Sequence, residues 1–289
     1  MGVHPDEKAR SAADLQAYLV VATEAARVGG AILRQHFGKL TAATDIVEKQ
    51  PGDLVTIADR ESEAAILAIL RKHCPDFDIL AEESGQQNRQ SPWLWAVDPL
   101  DGTTNFAHGY PFATVSIGLL YQGEPVVGVV YDPFHDELFR GIVGEGATCW
   151  SGGQVRSLRP STTAHFPQSL WVSGFAYDRR RVTDNNYAEF CHFTHLTQGV
   201  RRSGSAALDL AYVAAGRFDG YWERGLSPWD LAAGVVLVRA AGGMVTAYDG
   251  GPFDLASGRI LATNGLLHES AITTLAGVSP LPGPFPGIE

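Results

Sequence analysis

The residues best equipped for chemistry are carboxylates placed where water is scarce. In WAVDPLDGTTNF, residues 95–106, an apolar run delivers Asp98, Pro99 and Leu100 separate it from Asp101, and Gly102-Thr103-Thr104-Asn105 follows at once. Further acids stand at the edges of apolar segments: Asp59 after DLVTIA, Glu82 after FDILA, and Asp230 at the head of PWDLAAGVVLVRAAGG. Each has an ordinary structural use when taken singly. Asp59 and Asp101 suit N-caps, Asp230 suits the positive end of a helix, and Glu82 with Glu83 suits a solvated strand end. Together they share one feature: each closes an apolar strand or opens a buried helix, so they can converge on one cleft. Converging carboxylates in a partly dry pocket repel unless protons or cations neutralise them. Oxygen ligands without Cys or His select hard ions, Mg2+ above all. Asp98, at a rigid strand end, is the expected bridge between two ions roughly 3.5–4 Å apart. Stiff Pro99 would turn the Leu100 carbonyl and Asp101 back toward the same ions. The amides of Gly102 and Thr103 at a helix start suit phosphate oxygens, Gly102 allows close backbone approach, and the Thr103 hydroxyl can align a water.

Those residues need rigid elements behind them. Leu15, Leu19, Ala22, Ala26, Ile32, Leu33 and Phe37 recur at helical spacing, which predicts a helix over 13–37 closed by Gly38. DLVTIAD (53–59) reads as a strand turning into a helix whose buried stripe is Ala65, Ile66, Ile69 and Leu70, stopped by Pro75. FDILAEES (77–84) reads as a strand, and residues 85–92 as a surface loop. FATVSIGLLY, EPVVGVVYD, DELFRGIV and GATCW predict an antiparallel meander with a hairpin at Gly123-Glu124. From about residue 160 strands and helices alternate. LWVSGF, FDGYWE and MVTAY are strand-like, while 185–196, 205–216 and 228–243 are helical, the last opened by Pro228 and ended by Gly242-Gly243. The reading is two layered subdomains, an α+β half over 1–155 and an α/β half over 156–289, with a frayed Pro/Gly-rich tail.

Composition narrows the partners. The 289 residues carry a net charge of −10 with scattered basic residues, the tightest run being Arg179-Arg180-Arg181, so nucleic acid is not expected as the main partner. A phosphate site in so acidic a chain calls for added cations. The cysteines, Cys74, Cys149 and Cys191, are odd in number and form no CxxC, which fits a reducing compartment. No segment reads as a signal peptide, an acylation signal or a membrane span, so a cytoplasmic location is expected.

With these residues in view, WAVDPLDGTTNF resembles the Asp-Pro-x-Asp-Gly-Thr-x-Asn signature of the inositol monophosphatase family of lithium-sensitive, Mg2+-dependent phosphatases. PWDLAAGVVLVRAAGG is similar to that family's Trp-Asp-x-Ala-Ala-Gly…Ala-Gly-Gly block, and DLVTIAD and AEES match two further blocks in order. The resemblance runs from about residue 15 to 265. It implies a layered αβαβα sandwich, like that shared with fructose-1,6-bisphosphatase, paired as a homodimer. It implies that Glu82, Asp98 and the Leu100 carbonyl hold one Mg2+, that Asp98, Asp101 and Asp230 hold a second, and that a weaker third sits near Glu82. It further implies that Glu82 and Thr103 activate water with Asp59 supporting Thr103, and that Gly204-Ser205-Ala206 and Glu223 contact the inositol ring. His108 and His135 read as structural or rim histidines rather than general acids.

Departures are few. Ser205 stands where many relatives have Thr and keeps the hydroxyl. Arg239-Ala240 replaces a commonly acidic pair away from the metal end. Lys49 stands one residue off the spacing of a basic position in relatives and is left outside the set. The substrate expected is myo-inositol monophosphate, because DGTTNF is closer to the inositol branch than to the Asp-Gly-Ser-Ser or Asp-Gly-Thr-Lys versions, and because Glu223 can accept from ring hydroxyls. Fructose-1,6-bisphosphate, phosphoadenosine phosphate and histidinol phosphate remain alternatives. A regulatory binding protein without turnover is the contrasting reading; it predicts loss of an acid from the metal set, and Glu82, Asp98, Asp101 and Asp230 are all present.

Overall fold

The computed structural model describes residues 12–41, 45–87 and 90–281. The first eleven residues and the tail from 282 lie outside the described residues, as do positions 88 and 89 of the expected 85–92 loop. In chain order the elements are α1 (Ala12–His36), β1 (Ile46–Gln50), β2 (Asp53–Thr56), α2 (Ile57–His73), β3 (Asp78–Ala81), β4 (Gly85–Gln87), β5 (Trp93–Asp101) and α3 (Thr103–Ala107). They continue with β6 (Thr114–Tyr121), β7 (Glu124–Asp132), β8 (Glu137–Ile142), β9 (Gly146–Ser151), β10 (Gln154–Ser157) and β11 (Leu170–Ser173). The last are α4 (Tyr187–Leu196), β12 (Gly199–Arg201), α5 (Ala206–Ala214), β13 (Gly220–Glu223), α6 (Pro228–Ala241), β14 (Met244–Thr246), β15 (Ile260–Thr263) and α7 (His268–Ala276).

The layers follow from which faces are apolar. An eight-stranded sheet runs β10-β9-β8-β7-β6-β5-β3-β4, antiparallel except where β3 lies parallel to β5. α1 and α2 cover one face, burying Leu15, Leu19, Ala22, Ala26, Leu33, Ile66 and Leu70 against it. α5 and α6 cover the other face, and on them lies a five-stranded sheet, β12-β11-β13-β15-β14. Beyond that sheet α4 and α7 seal a cluster of Trp171, Phe193, Trp222, Leu261 and Leu267. The arrangement is an αβαβα sandwich. α6 sits between two sheets, so Leu231 through Val238 are all buried and the helix has no polar stripe. It lies close because β6 and β7 present glycine there: a Cβ on Gly118 would sit 2.5 Å from Ala232 Cβ, and one on Gly128 2.4 Å from the Ala233 carbonyl oxygen.

Some expectations shift. The buried stripe of α2 takes in Leu67, while Ala65 and Ile69 are only half-buried, a rotation caused by α1 and β5 packing on adjacent sides. The strand expected over 77–84 stops at Ala81, and Glu82 to Ser84 form a turn. That turn lets Gly85–Gln87 fold back on Asp78–Ala81 as β4, where a loop was expected. β1, β10, β12, β15 and α7 have short or mixed patterns that gave no signal.

Candidate active site

The site begins with a defect in a central strand. β5 pairs with β6 from Trp93 to Asp98, and the register then slips so that Asp98 faces Ser116 but Asp101 faces Thr114. Pro99 lacks an N–H for the ladder, and the bulge is where a central strand can hold it. Inside the bulge the Leu100 N–H donates to Asp98 Oδ1 at 2.9 Å, and Ser62 Oγ donates to the Pro99 carbonyl at 3.0 Å. Alongside, parallel β3 ends at Ala81 opposite Val97, and the Glu82 N–H donates to the Val97 carbonyl. Glu82 and Asp98 therefore lie at the same end of neighbouring strands, close enough for each carboxyl to act on the other. Buried Glu63 fixes the following turn by accepting from the Glu83 and Ser84 N–H groups at 2.8 and 3.0 Å.

Helix starts aim two more acids. Asp59 is the third residue of α2, not its N-cap. The cap is Thr56, whose N–H and Oγ both donate to Asp59 Oδ2, at 2.7 and 2.6 Å. That capping box leaves Oδ1 to receive Thr103 Oγ1 at 3.1 Å. Thr103 Oγ1 also lies 3.0 Å from the Leu100 carbonyl, so its single proton is shared between two acceptors. Asp230 repeats the device in α6: its Oδ2 accepts the Ser227 N–H at 2.7 Å. Ser116, the register partner of Asp98, donates from Oγ to the Trp229 carbonyl at 3.1 Å, and this ties the head of α6 beside Asp98.

Asp101 is not an N-cap for α3 either. Gly102 holds that position with φ 98°, and a Cβ there would sit 2.9 Å from the Phe112 carbonyl oxygen. Asp101 Oδ2 instead accepts from Ser205 Oγ at 2.7 Å and from the Ala207 N–H at 2.6 Å, satisfying the open amides of α5. The Ser205 side chain is buried, with its proton committed to Asp101. Gly204 lies against Gly102 through its carbonyl, and Asn105 Nδ2 bonds the Phe112 and Ser203 carbonyls at 2.8 Å each. Segment 203–206 is thus locked onto the turn after β5.

The electrostatics are those of crowded anions. Burial, then the charges of Glu82, Asp101 and Asp230, push the Asp98 carboxyl well above its ordinary range. Burial raises Glu82 to about 7 against the relief given by Lys49, with Asp59 and Glu83 adding to the rise. Asp101 is lifted to about 6 by burial, opposed by its bonds to Ser205 and Ala207. Asp230 is raised by burial and then by Asp101. Asp59 is also lifted to about 6 by burial. Among the described residues, the tightest trio is Asp59, Glu82 and Glu83, each offering an oxygen within 4.8 Å of the others. Asp98, Asp101 and Asp230 are not in that trio and bear on one another as charges.

Glu223 stands at the end of β13 within reach of the same field. It is buried, accepts the Tyr221 hydroxyl at 2.7 Å and is pushed up to about 7, chiefly by burial. The Gly174 backbone lies against its carboxylate. Sequence reasoning set Lys49 aside and overlooked Tyr177 and Asp209. Lys49 Nζ reaches Glu83 at 2.5 Å and Glu82 at 3.4 Å. It is the unpaired residue of a bulge between Glu48 and Gln50, and a one-residue offset is what a bulge produces. Tyr177 is exposed, and its phenol is raised by partial desolvation and then by the charges of Asp53, Glu82 and Asp230. Asp209 is fully buried near Glu223, and its Oδ1 has no hydrogen-bond partner among the described residues. Its place in SAALDLAYVAAG, on a helix apolar all round, was the available signal. His135 pairs with Asp132 at 2.7 Å and His108 is exposed at the end of α3.

Comparison with known proteins agrees with this geometry. The sequence profile of the inositol monophosphatase family matches residues 14–279. The chain is 58% identical over 268 residues to an "Inositol-1-monophosphatase" of Synechocystis sp., covering 92% of this chain and 91% of that protein. It is 40% identical over 266 residues to a "Nus factor SuhB" of Pseudomonas aeruginosa, covering 90% and 96%. A solved structure of an inositol monophosphatase from Anabaena (Nostoc) sp. superposes with TM-score 0.83 at 58% identity, covering 93% of this chain and 98% of that one. The buried acids at the strand ends, the sandwich that carries them and the full-length match lead to one statement: this chain belongs to the inositol monophosphatase family.

Proposed function

We propose that the chain is a lithium-sensitive, Mg2+-dependent phosphomonoesterase that hydrolyses myo-inositol monophosphate to inositol and phosphate. The observation that carries the reading is the buried meeting of Glu82, Asp98, Asp101 and Asp230, whose ionised forms are disfavoured by burial and by one another. A donor set of carboxylate and carbonyl oxygens, poor in neutralising cations, fits a hard divalent ion. Glu82, Asp98 and the Leu100 carbonyl would hold one Mg2+ and Asp98, Asp101 and Asp230 a second, with a weaker third beside Glu82. Such ions, when bound, supply Lewis-acid stabilisation of phosphoryl charge and make water easier to deprotonate.

The chain's own residues supply position and proton transfer. Thr103 Oγ1 directs its proton to Asp59 or the Leu100 carbonyl, which leaves lone-pair density to orient the attacking water. Glu82, beside that water, takes up its proton. The Gly102 and Thr103 amides receive phosphate oxygens. Glu223 accepts from ring hydroxyls, and the backbone of Gly204 and Ala206 borders the ring, while the Ser205 hydroxyl holds Asp101 in place. The residues before and after about 155 act as two subdomains, the first bringing most metal ligands and the second Asp230 and the ring contacts. We also assign a homodimer in the cytoplasm to this reading; among the described residues no helix is long and apolar enough to cross a membrane.

Phosphate release by Asp98→Asn tests the assignment. Removing the bridging charge while keeping size should lower Mg2+-dependent turnover at least about a hundredfold, with the fold unchanged by circular dichroism. Near-wild-type turnover would refute it. Rates on inositol-1-phosphate, fructose-1,6-bisphosphate, phosphoadenosine phosphate and histidinol phosphate, measured side by side, decide the substrate. The likeness to a protein named a Nus factor supports a second, regulatory reading, in which Asp98→Asn would leave binding to a protein partner intact.

A further inference from the structure

Away from the carboxylates, a cavity of about 200 Å³ opens between the β9–β10 edge and the C-terminal end of α5. Its lining includes Cys149, Arg156 and Arg159 from β9, β10 and the segment after it, and Ala215 and Arg217 from the end of α5. The charges of its arginines differ in their balance. Arg217 is neutralised: Nη1 and Nη2 donate to both oxygens of Glu137 at 2.5 Å, and the guanidinium lies 4.3 Å over the Tyr212 ring. Arg156 and Arg159 have no carboxylate partner among the described residues. A chain of net charge −10 thus places two arginines without carboxylate partners on one small concavity.

We propose that this cavity binds a small phosphoryl anion. Guanidinium forks match the paired oxygens of a phosphoryl group. With about 30 Å³ per liquid water, the space takes a phosphate with at most a short carbon body. The site is separate from the carboxylate centre. α5 lies between them, its first turn bonded to Asp101 and its far end lining the cavity, a span of about 14 Å at 1.5 Å per residue. The anion is free phosphate or the phosphoryl group of a small metabolite, and both share this chemistry.

Titration of the full-length chain with inorganic phosphate, followed by calorimetry, tests the proposal. With Mg2+ present two saturable sites are expected, and EDTA should remove the one at the carboxylates. Arg156→Gln and Arg159→Gln, both at exposed side chains, should each weaken the EDTA-resistant site by about tenfold or more, and Asp98→Asn should leave it. No saturable uptake in EDTA would overturn the proposal, as would equal uptake by the Arg156→Gln/Arg159→Gln double variant. Loss of the Mg2+-dependent site alone would count against the phosphatase reading and not this one. Glycerol phosphate, which has a short carbon body, titrated in EDTA assigns the source: binding about tenfold tighter than phosphate marks a metabolite, and equal binding marks free phosphate.

Discussion

At the scale of single residues, the site is built from side chains that do a structural task with one oxygen and turn the other toward the site; in Asp59 that second oxygen receives Thr103 Oγ1. Asp59 and Asp230 cap their helices through Oδ2, and Asp101 caps α5 through Oδ2. Side chains pinned in this way lose little freedom when they gather around a ligand, so the acids stand ready at small entropic cost. Glu223 differs in being held by a phenol and in coming from the second sheet, at the end of β13. Glu223→Gln removes the charge that would accept from ring hydroxyls and keeps the shape. Turnover of inositol phosphate should fall about tenfold more than turnover of an aryl phosphate, and an equal loss on both would remove Glu223 from substrate recognition.

At the scale of elements, β5 and α6 carry the argument. The apolar runs that end in Asp98 and Glu82, and the all-apolar helix behind Asp230, were legible in the sequence because burial on both faces leaves no polar alternation to confuse them. The chemistry of Asp101 was only half legible. Its aspartate is visible beside Asp98, but its partners in α5 lie more than a hundred positions away and leave no local trace. Lys49 was set aside because it stands one residue off the expected spacing, and the bulge in β1 that produces the offset leaves no trace in so short a strand. β4 was read as loop because its polar sequence pairs only with its own neighbour. The close seat of α6 gives a prediction at this scale. Gly128→Ala pushes a methyl group into the Ala233 carbonyl, so stability should fall by about 1–3 kcal/mol in urea unfolding. Activity should fall with it as Asp230 is displaced from Asp98; a variant that unfolds like wild type would show that the helix is free to shift.

At the scale of the whole molecule, the sandwich places negative charge inside an already acidic chain, and the balance depends on pH. Glu82 and Glu223 are raised to about 7, Asp59 and Asp101 to about 6, against roughly 4 in an unfolded chain. Each therefore binds its proton more tightly folded than unfolded. Their contribution to stability is complete below about pH 4 and is lost as pH rises through about 6 to 7. In EDTA, Tm should accordingly fall between about pH 5 and about pH 8, and Mg2+ should flatten the slope by binding only the folded state. A Tm in EDTA that rises across this range would contradict the electrostatic account. Part of the cost is already offset by Lys49 at Glu82 and Glu83, at the mouth of the centre.

The most direct measurement is phosphate release from inositol-1-phosphate by the wild-type chain, first stripped with EDTA and then titrated with Mg2+. Carboxylates gathered for hard cations predict negligible release in EDTA and saturable recovery as Mg2+ is restored. Undiminished release from the stripped enzyme would mean that the acids of β3, β5 and α6 serve some other end.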